Sequence, residues 1–118
     1  MGEGSQSAKK RIVRRCPFVA SAEVTDLSSE TRRTGRTSEL GLGGCYIETP
    51  DPFLKGTLVQ LRIFRGQGVF ETQAKVVYSH NVQLNSGMGL AFQEITPNQQ
   101  SLLEDWLAEI VTILGRLS

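Results

Sequence analysis

The chain has 118 residues, 39% of them hydrophobic, and a formal net charge of +1. That length fits one domain with a modest core, and the near-neutral balance excludes recognition of a long polyanion by bulk charge. No apolar run approaches the roughly 20 residues that span a bilayer. The first ten residues lack the apolar stretch of a secretory signal, so a cytoplasmic protein is expected. Cys16 and Cys45 are too few for a disulfide framework and read as reduced thiols.

Residues 1–8 offer nothing to bury and read as a disordered tail. Residues 9–17 are a basic segment, Lys9-Lys10-Arg11-Ile12-Val13-Arg14-Arg15, ending in Cys16-Pro17. Together with Arg32, Arg33 and Arg36 it concentrates positive charge in the first third of the chain, which suits one small polyanion. Its like charges repel and only Ile12 and Val13 can anchor it, so the segment is expected to be mobile without an anion.

From Phe18 to Leu27 the pattern has period two, with Phe18, Ala20, Ala22 and Val24 on one face of a half-buried strand. The polar run from Asp26 to Thr34 reads as a hairpin loop and Gly35 to Leu40 as the return strand. Gly41, Gly43 and Gly44 then mark a sharp turn or bulge before a strand from Cys45 to Thr49. Pro50 and Pro52 cannot continue a central strand, and Phe53 and Leu54 are expected to tuck under the sheet. Thr57 to Arg65 alternates again, with Val59, Leu61 and Ile63 on one face. Gly66-Gln67-Gly68 is a tight hairpin, Val69 to Ser79 is a long strand with an apolar Val76-Val77-Tyr78 end, and His80 to Ser86 is a loop. The glycines of the strand Gly87-Met88-Gly89-Leu90-Ala91-Phe92 recur at alternate positions, which predicts a neighbour or ligand lying close on one face.

The end of the chain predicts a helix over about 97–114. Thr96 is a good N-cap, Pro97 suits the first helical position, and Gln99 completes a capping box. Leu102, Leu103, Trp106, Leu107, Ile110, Val111 and Leu114 make one apolar stripe, and Gly115 is a helix stop. The last turn reaches past a small barrel and is available to a dimer or a partner. The fold class is mainly β: a small six-stranded antiparallel β-barrel with a C-terminal α-helix, occupying residues 18–118.

The sequence points away from an enzyme. His80 is the one histidine, and no nucleophile or acid stands in a recognisable relation to it. Two distant cysteines and one histidine match no metal-ligand spacing, no cofactor motif is present, and no glycine-rich loop ends in Gly-Lys-Ser or Gly-Lys-Thr. Few aromatics are expected outside the core, which argues against a nucleic-acid stacking surface.

Two motifs carry a resemblance. Arg11-x-x-x-Arg15, with Arg14 as an extra cation, is followed by Glu39-x-Gly41-x-x-Gly44. Their order, spacing and strand context resemble the PilZ family, whose signature is Arg-x-x-x-Arg and then Asp-x-Ser-x-x-Gly. The resemblance covers residues 10 to 112 and implies a stand-alone receptor for cyclic di-GMP that signals through a protein partner, as a monomer or weak dimer. The alternative is a PilZ-like interaction module independent of nucleotide. The resemblance implies that Arg11, Arg14 and Arg15 bind phosphate or the O6/N7 edge of guanine. It implies that Glu39 accepts from guanine N–H groups and that Gly41 and Gly44 form the corner. Here Glu stands for Asp and Gly for Ser. A lost hydroxyl contact costs about 1 kcal/mol, so binding weaker than the family pattern is expected.

Overall fold

The computed structural model describes residues 16–117, with side chains through residue 115. Six strands are followed by one helix: β1 (Cys16–Asp26), β2 (Arg32–Leu40), β3 (Gly44–Glu48), β4 (Leu58–Arg65), β5 (Gly68–Val82), β6 (Asn85–Phe92) and α1 (Pro97–Leu117). They close into a barrel in the order β1-β2-β3-β6-β5-β4, every neighbouring pair antiparallel. This is the expected mainly β fold, a six-stranded antiparallel barrel with a C-terminal helix.

Alternation decides which side chains fill it. Ala22 and Val24 of β1, Val59, Leu61 and Ile63 of β4, Ala74 and Val76 of β5, and Met88 and Leu90 of β6 all point inward and are buried. Each large one removed from water contributes about 1.5–3 kcal/mol. The helix closes one end. Its Leu103, Trp106 and Leu107 are buried, and the Trp106 ring stacks on Phe18 at 5.6 Å and meets Phe70 edge-on at 6.5 Å. Arg65 also lies over the Phe18 ring, 5.3 Å from its centroid, and pairs with Glu109 of α1. The segment after β3 closes the opposite end: Phe53 is buried there, under the Arg33 guanidinium at 5.1 Å, which is itself paired with Asp51 at 2.9 Å.

Several boundaries differ from expectation. β1 begins at Cys16, so the last two residues of the basic segment are strand. β2 begins at Arg32, three residues before Gly35, because the turn is pinned earlier: Asp26 Oδ1 accepts the Ser28 N–H at 2.9 Å. His80–Ser86, expected as a loop, is the end of a hairpin whose turn is Gln83-Leu84. Leu54 does not tuck in; it is 79% exposed beside the buried Phe53. The helix runs to Leu117, past both the expected end at 114 and the expected stop at Gly115. Thr96 Oγ1 accepts the Gln99 N–H at 3.4 Å, but the Gln99 side chain does not complete the capping box. Its Oε1 accepts the Glu71 N–H at 2.6 Å and so fastens the helix to β5. Residues 1–8 and the basic residues Lys9–Arg15 lie outside the described residues.

One buried polar contact holds the β1–β2 junction. Thr37 is fully buried, and its hydroxyl donates to the Phe18 carbonyl at 2.6 Å. Thr37→Val keeps the shape and strands that carbonyl without a donor. Urea unfolding of this variant is expected to show a loss of about 1–3 kcal/mol; a loss below a few tenths would show that the bond contributes nothing.

Candidate functional site

The site is built by residues inserted into the strands. Thr37 and Leu40 both point into the barrel although they are three positions apart. Strict alternation from Thr37 would send Glu39 inward, where an unpaired carboxylate costs several kcal/mol. Instead the ladder slips: Thr37 faces Ile47 and Glu39 faces Tyr46, so Ser38 is an extra residue on β2. Glu39 therefore turns outward and is exposed. On the β1 side the register also shifts, between Pro17 and Ala20, so that Pro17 lies opposite Glu39. A third shift repeats the device in β5. Val76 faces Leu90 and Tyr78 faces Gly89, leaving Val77 as the insertion, and Tyr78 turns outward with 47% of its surface exposed.

These shifts align one row across the outside of five strands, β1, β2, β3, β6 and β5. Reading the paired residues in turn, the row is Pro17, Glu39, Tyr46, Gly89 and Tyr78. At about 4.8 Å per strand it spans roughly 19 Å along the surface. The two tyrosine rings stack across it, centroids 5.8 Å apart and planes 27° apart. They lie flat on the sheet because β6 has no side chains beneath them. A Cβ at Gly89 would overlap the Tyr78 ring, and one at Gly87 would overlap the Tyr46 hydroxyl. The close neighbour predicted from the alternate glycines is this pair of tyrosines.

Beside the row lies the glycine corner. Gly41 and Gly44 are buried; the Gly41 N–H donates to the Gly44 carbonyl at 2.9 Å, and the Phe92 N–H donates to the Gly43 carbonyl at 2.9 Å. The corner is thus clamped to the end of β6, just before the helix. Its tightness does not come from left-handed backbone: the described left-handed glycines are Gly56 (φ 96) and Gly66 (φ 59), both elsewhere. Of the expected site residues, the structure brings Glu39, Gly41 and Gly44 together, while Arg11, Arg14 and Arg15 lie outside the described residues.

Tyr46 and Tyr78 were not anticipated. Both sit in apolar runs that read as core, and only the insertions, which leave no mark in composition, turn Tyr78 outward. The alternate glycines of β6 were the signal that could have found them. The row is electrostatically connected. Burial first, then the Tyr78 phenol and the carboxylates of Glu48 and Glu39, hold the Tyr46 phenol above its usual 10.0. Arg36 pairs with Glu48 at 3.1 Å in the neighbouring row. Among the described residues no group of three or more His, Cys, Asp or Glu could hold a metal ion, and no helix is long and apolar enough to cross a membrane.

Two measurements check this geometry. Because the folded Tyr46 holds its proton to higher pH than an unfolded tyrosine, the stability it contributes is full below pH 10.0 and falls as pH rises through its folded value. Tyrosinate absorbance should show one late-titrating phenol that disappears in Tyr46→Phe; two identical titrations would contradict the placement. Gly87→Ala also drives a Cβ into the backbone carbonyl of Ile47, whereas the three nearest atoms at Gly89 all belong to the movable Tyr78 ring. Gly87→Ala is therefore expected to lower the urea midpoint more than Gly89→Ala does, and Gly89→Ala to change the near-ultraviolet dichroism of the tyrosine stack. The reverse order would show that the rings do not lie as described.

The PilZ domain family model matches residues 8–109. No curated protein matches the chain. Among solved structures, the PilZ domain of YcgR from Escherichia coli with c-di-GMP is 19% identical, with 87% of this chain and 92% of that one covered at a TM-score of 0.66. The PilZ domain of CeSA from a cellulose-synthesizing bacterium is 16% identical, with 81% and 96% covered at 0.63. MrkH of K. pneumonia in its apo state is 13% identical, with 92% and 53% covered at 0.71. At these identities the likeness is one of fold, and it agrees with the family match over nearly the whole chain. The chain belongs to the PilZ domain family.

Proposed function

We propose that this protein is a receptor for cyclic di-GMP, bound over the outer row between the glycine corner and Tyr78. The observation that carries the reading is the outward turn of Glu39 directly opposite Pro17. The family is one of c-di-GMP receptors, and Glu39 occupies the acidic position of its second motif. The basic segment joins the fold at that same point. Arg15 is two residues from Pro17, and a residue spans at most about 3.6 Å, which keeps its backbone within roughly 7 Å.

The ligand's chemistry fits these groups. A carboxylate at position 39 accepts from guanine N1–H and N2–H, while arginine guanidinium groups bind phosphate or the O6/N7 edge in bidentate fashion. The exposed tyrosine face offers a base a stacking platform, a contact worth about 1–3 kcal/mol. Gly41 supplies no hydroxyl, which supports an affinity below the family pattern. Output would pass through a protein partner. Phe18 lies three residues after Arg15 and stacks on Trp106, so an anion that orders the basic segment pulls on the contact that seats the helix. No catalytic step is assigned.

Calorimetric titration with cyclic di-GMP tests the reading. Wild type should bind, and Arg15→Ala and Glu39→Gln should each weaken binding about tenfold to a hundredfold, the loss of one good polar contact to phosphate or base. Glu39→Asp combined with Gly41→Ser should tighten it. A folded wild type that gives no binding contradicts the receptor reading and favours the interaction module independent of nucleotide.

A further inference from the structure

The barrel is closed, yet one strand edge is open. β4 accompanies β5 only as far as Lys75. The last bonds on that side are the Val76 N–H to the Thr57 carbonyl at 2.9 Å and the Gly56 N–H to the Val76 carbonyl at 2.7 Å. Val77–Val82 then continue past the barrel, exposed throughout and paired, among the described residues, with β6 alone. The arm ends at a two-residue turn whose Leu84 is fully exposed in left-handed backbone, φ 68.

The turn fixes which backbone groups face the open side. Val82 opposite Asn85 closes a two-residue loop. The Ser86 carbonyl accepts the Thr49 N–H at 3.2 Å on the far side of β6, so Asn81–Ser86 is not a hydrogen-bonded pair and Val82–Asn85 is. Counting back, His80 also bonds β6, and Ser79 and Asn81 direct their N–H and C=O groups to the free edge. Exposed edges are normally guarded by lysine, other charges or proline. The stretch Val77-Tyr78-Ser79-His80-Asn81-Val82 contains no Lys, Arg, Asp, Glu or Pro.

We propose that two copies of this chain pair through this edge, β5 against β5, antiparallel about a twofold axis at His80. A twofold contact requires a strand complementary to its own reverse, and this one is. Tyr78 falls opposite the partner's Val82, an aromatic against a β-branched side chain. Ser79 falls opposite the partner's Asn81, where each copy's free N–H and C=O groups are exchanged. His80 meets the partner's His80, and no Lys, Arg, Asp or Glu opposes another across the axis. The same axis carries the exposed Leu84 of one copy toward the partner's turn at Leu54–Thr57, where Leu54 is 79% exposed. The inference does not rest on the ligand reading, because the paired groups are backbone atoms of Ser79 and Asn81.

Sedimentation velocity of the full chain without nucleotide, from low to high micromolar concentration, should show a concentration-dependent dimer. Asn81→Pro deletes an edge N–H that β6 does not use, and symmetry doubles the loss. It should weaken dimerisation about tenfold with the far-ultraviolet dichroism of the barrel unchanged. In a Cys16→Ser background, His80→Cys should oxidise to a disulfide-linked dimer, since opposed residues of a pair not joined by hydrogen bonds approach closely; Ser21→Cys on the outer face of β1 should not. A wild type that stays monomeric overturns the proposal. So does a dimer that Asn81→Pro leaves intact and His80→Cys does not lock.

Discussion

The outer face depends on two inserted residues, Ser38 in β2 and Val77 in β5. Each moves one strand by a single residue against its neighbour, and in a structure of period two a single residue reverses every later side chain. Without the slip at Ser38, regular alternation from Thr37 would point Glu39 into a core of Leu40, Ile47 and Leu90. Without the slip at Val77, Tyr78 would follow Val76 inward. The insertions keep the hydrophobic pattern of each strand start and still deliver an acid and an aromatic to one row outside. Bulges disrupt the ladder locally, and the fold compensates with Thr37, whose buried hydroxyl satisfies the Phe18 carbonyl where β1 slips as well.

The rest of the molecule makes that row rigid at one end and leaves it open at the other. At the corner, backbone bonds tie Gly41 to Gly44 and Gly43 to Phe92. Shortly beyond Phe92 the helix begins, and it is fastened by Gln99 to Glu71, by Trp106 to Phe18 and by Glu109 to Arg65. Phe18 thus touches both the helix and the strand start that continues the basic segment. At the far end β5 and β6 overrun the barrel, and beyond Tyr78, which stacks on Tyr46, the residues Ser79–Val82 are exposed. That ribbon is held by its ladder and by the Ser86 hydroxyl bridging to Asn81 and the Val82 carbonyl, which makes it suited to contact rather than support.

The fold was legible because most strands obey simple rules. Val59, Leu61 and Ile63 alternate without interruption, Gly66-Gln67-Gly68 marks a turn, and Thr96-Pro97 opens a helix. The glycine corner was legible from three glycines in four residues, and Glu39 was singled out by the resemblance of Glu39-x-Gly41-x-x-Gly44 to the family's second motif. What was hidden was hidden for physical reasons. An inserted Ser or Val looks like any strand residue, so the outward turn of Tyr78 could not be read from its neighbours. The polar stretch from His80 to Ser86 resembled a loop because its strands bury nothing and need only backbone pairing. Gln99 matched a capping box, but an exposed N–H on β5 competed for its side chain. Gly115 resembled a stop, but one interior glycine costs only about 1 kcal/mol, and the helix continues through it.

The central claim is that cyclic di-GMP lies on the row that the two insertions create. The most direct measurement is NMR of protein with isotope-labelled tyrosine rings and backbone, titrated with cyclic di-GMP. The account predicts that ring signals of Tyr46 and Tyr78 shift and show contacts to guanine protons. Backbone shifts should be confined to Pro17, Glu39, the Gly41–Gly44 corner, Gly89 and the basic segment. Shifts centred on the outer faces of β4 and α1, with both tyrosine rings unchanged, would contradict it.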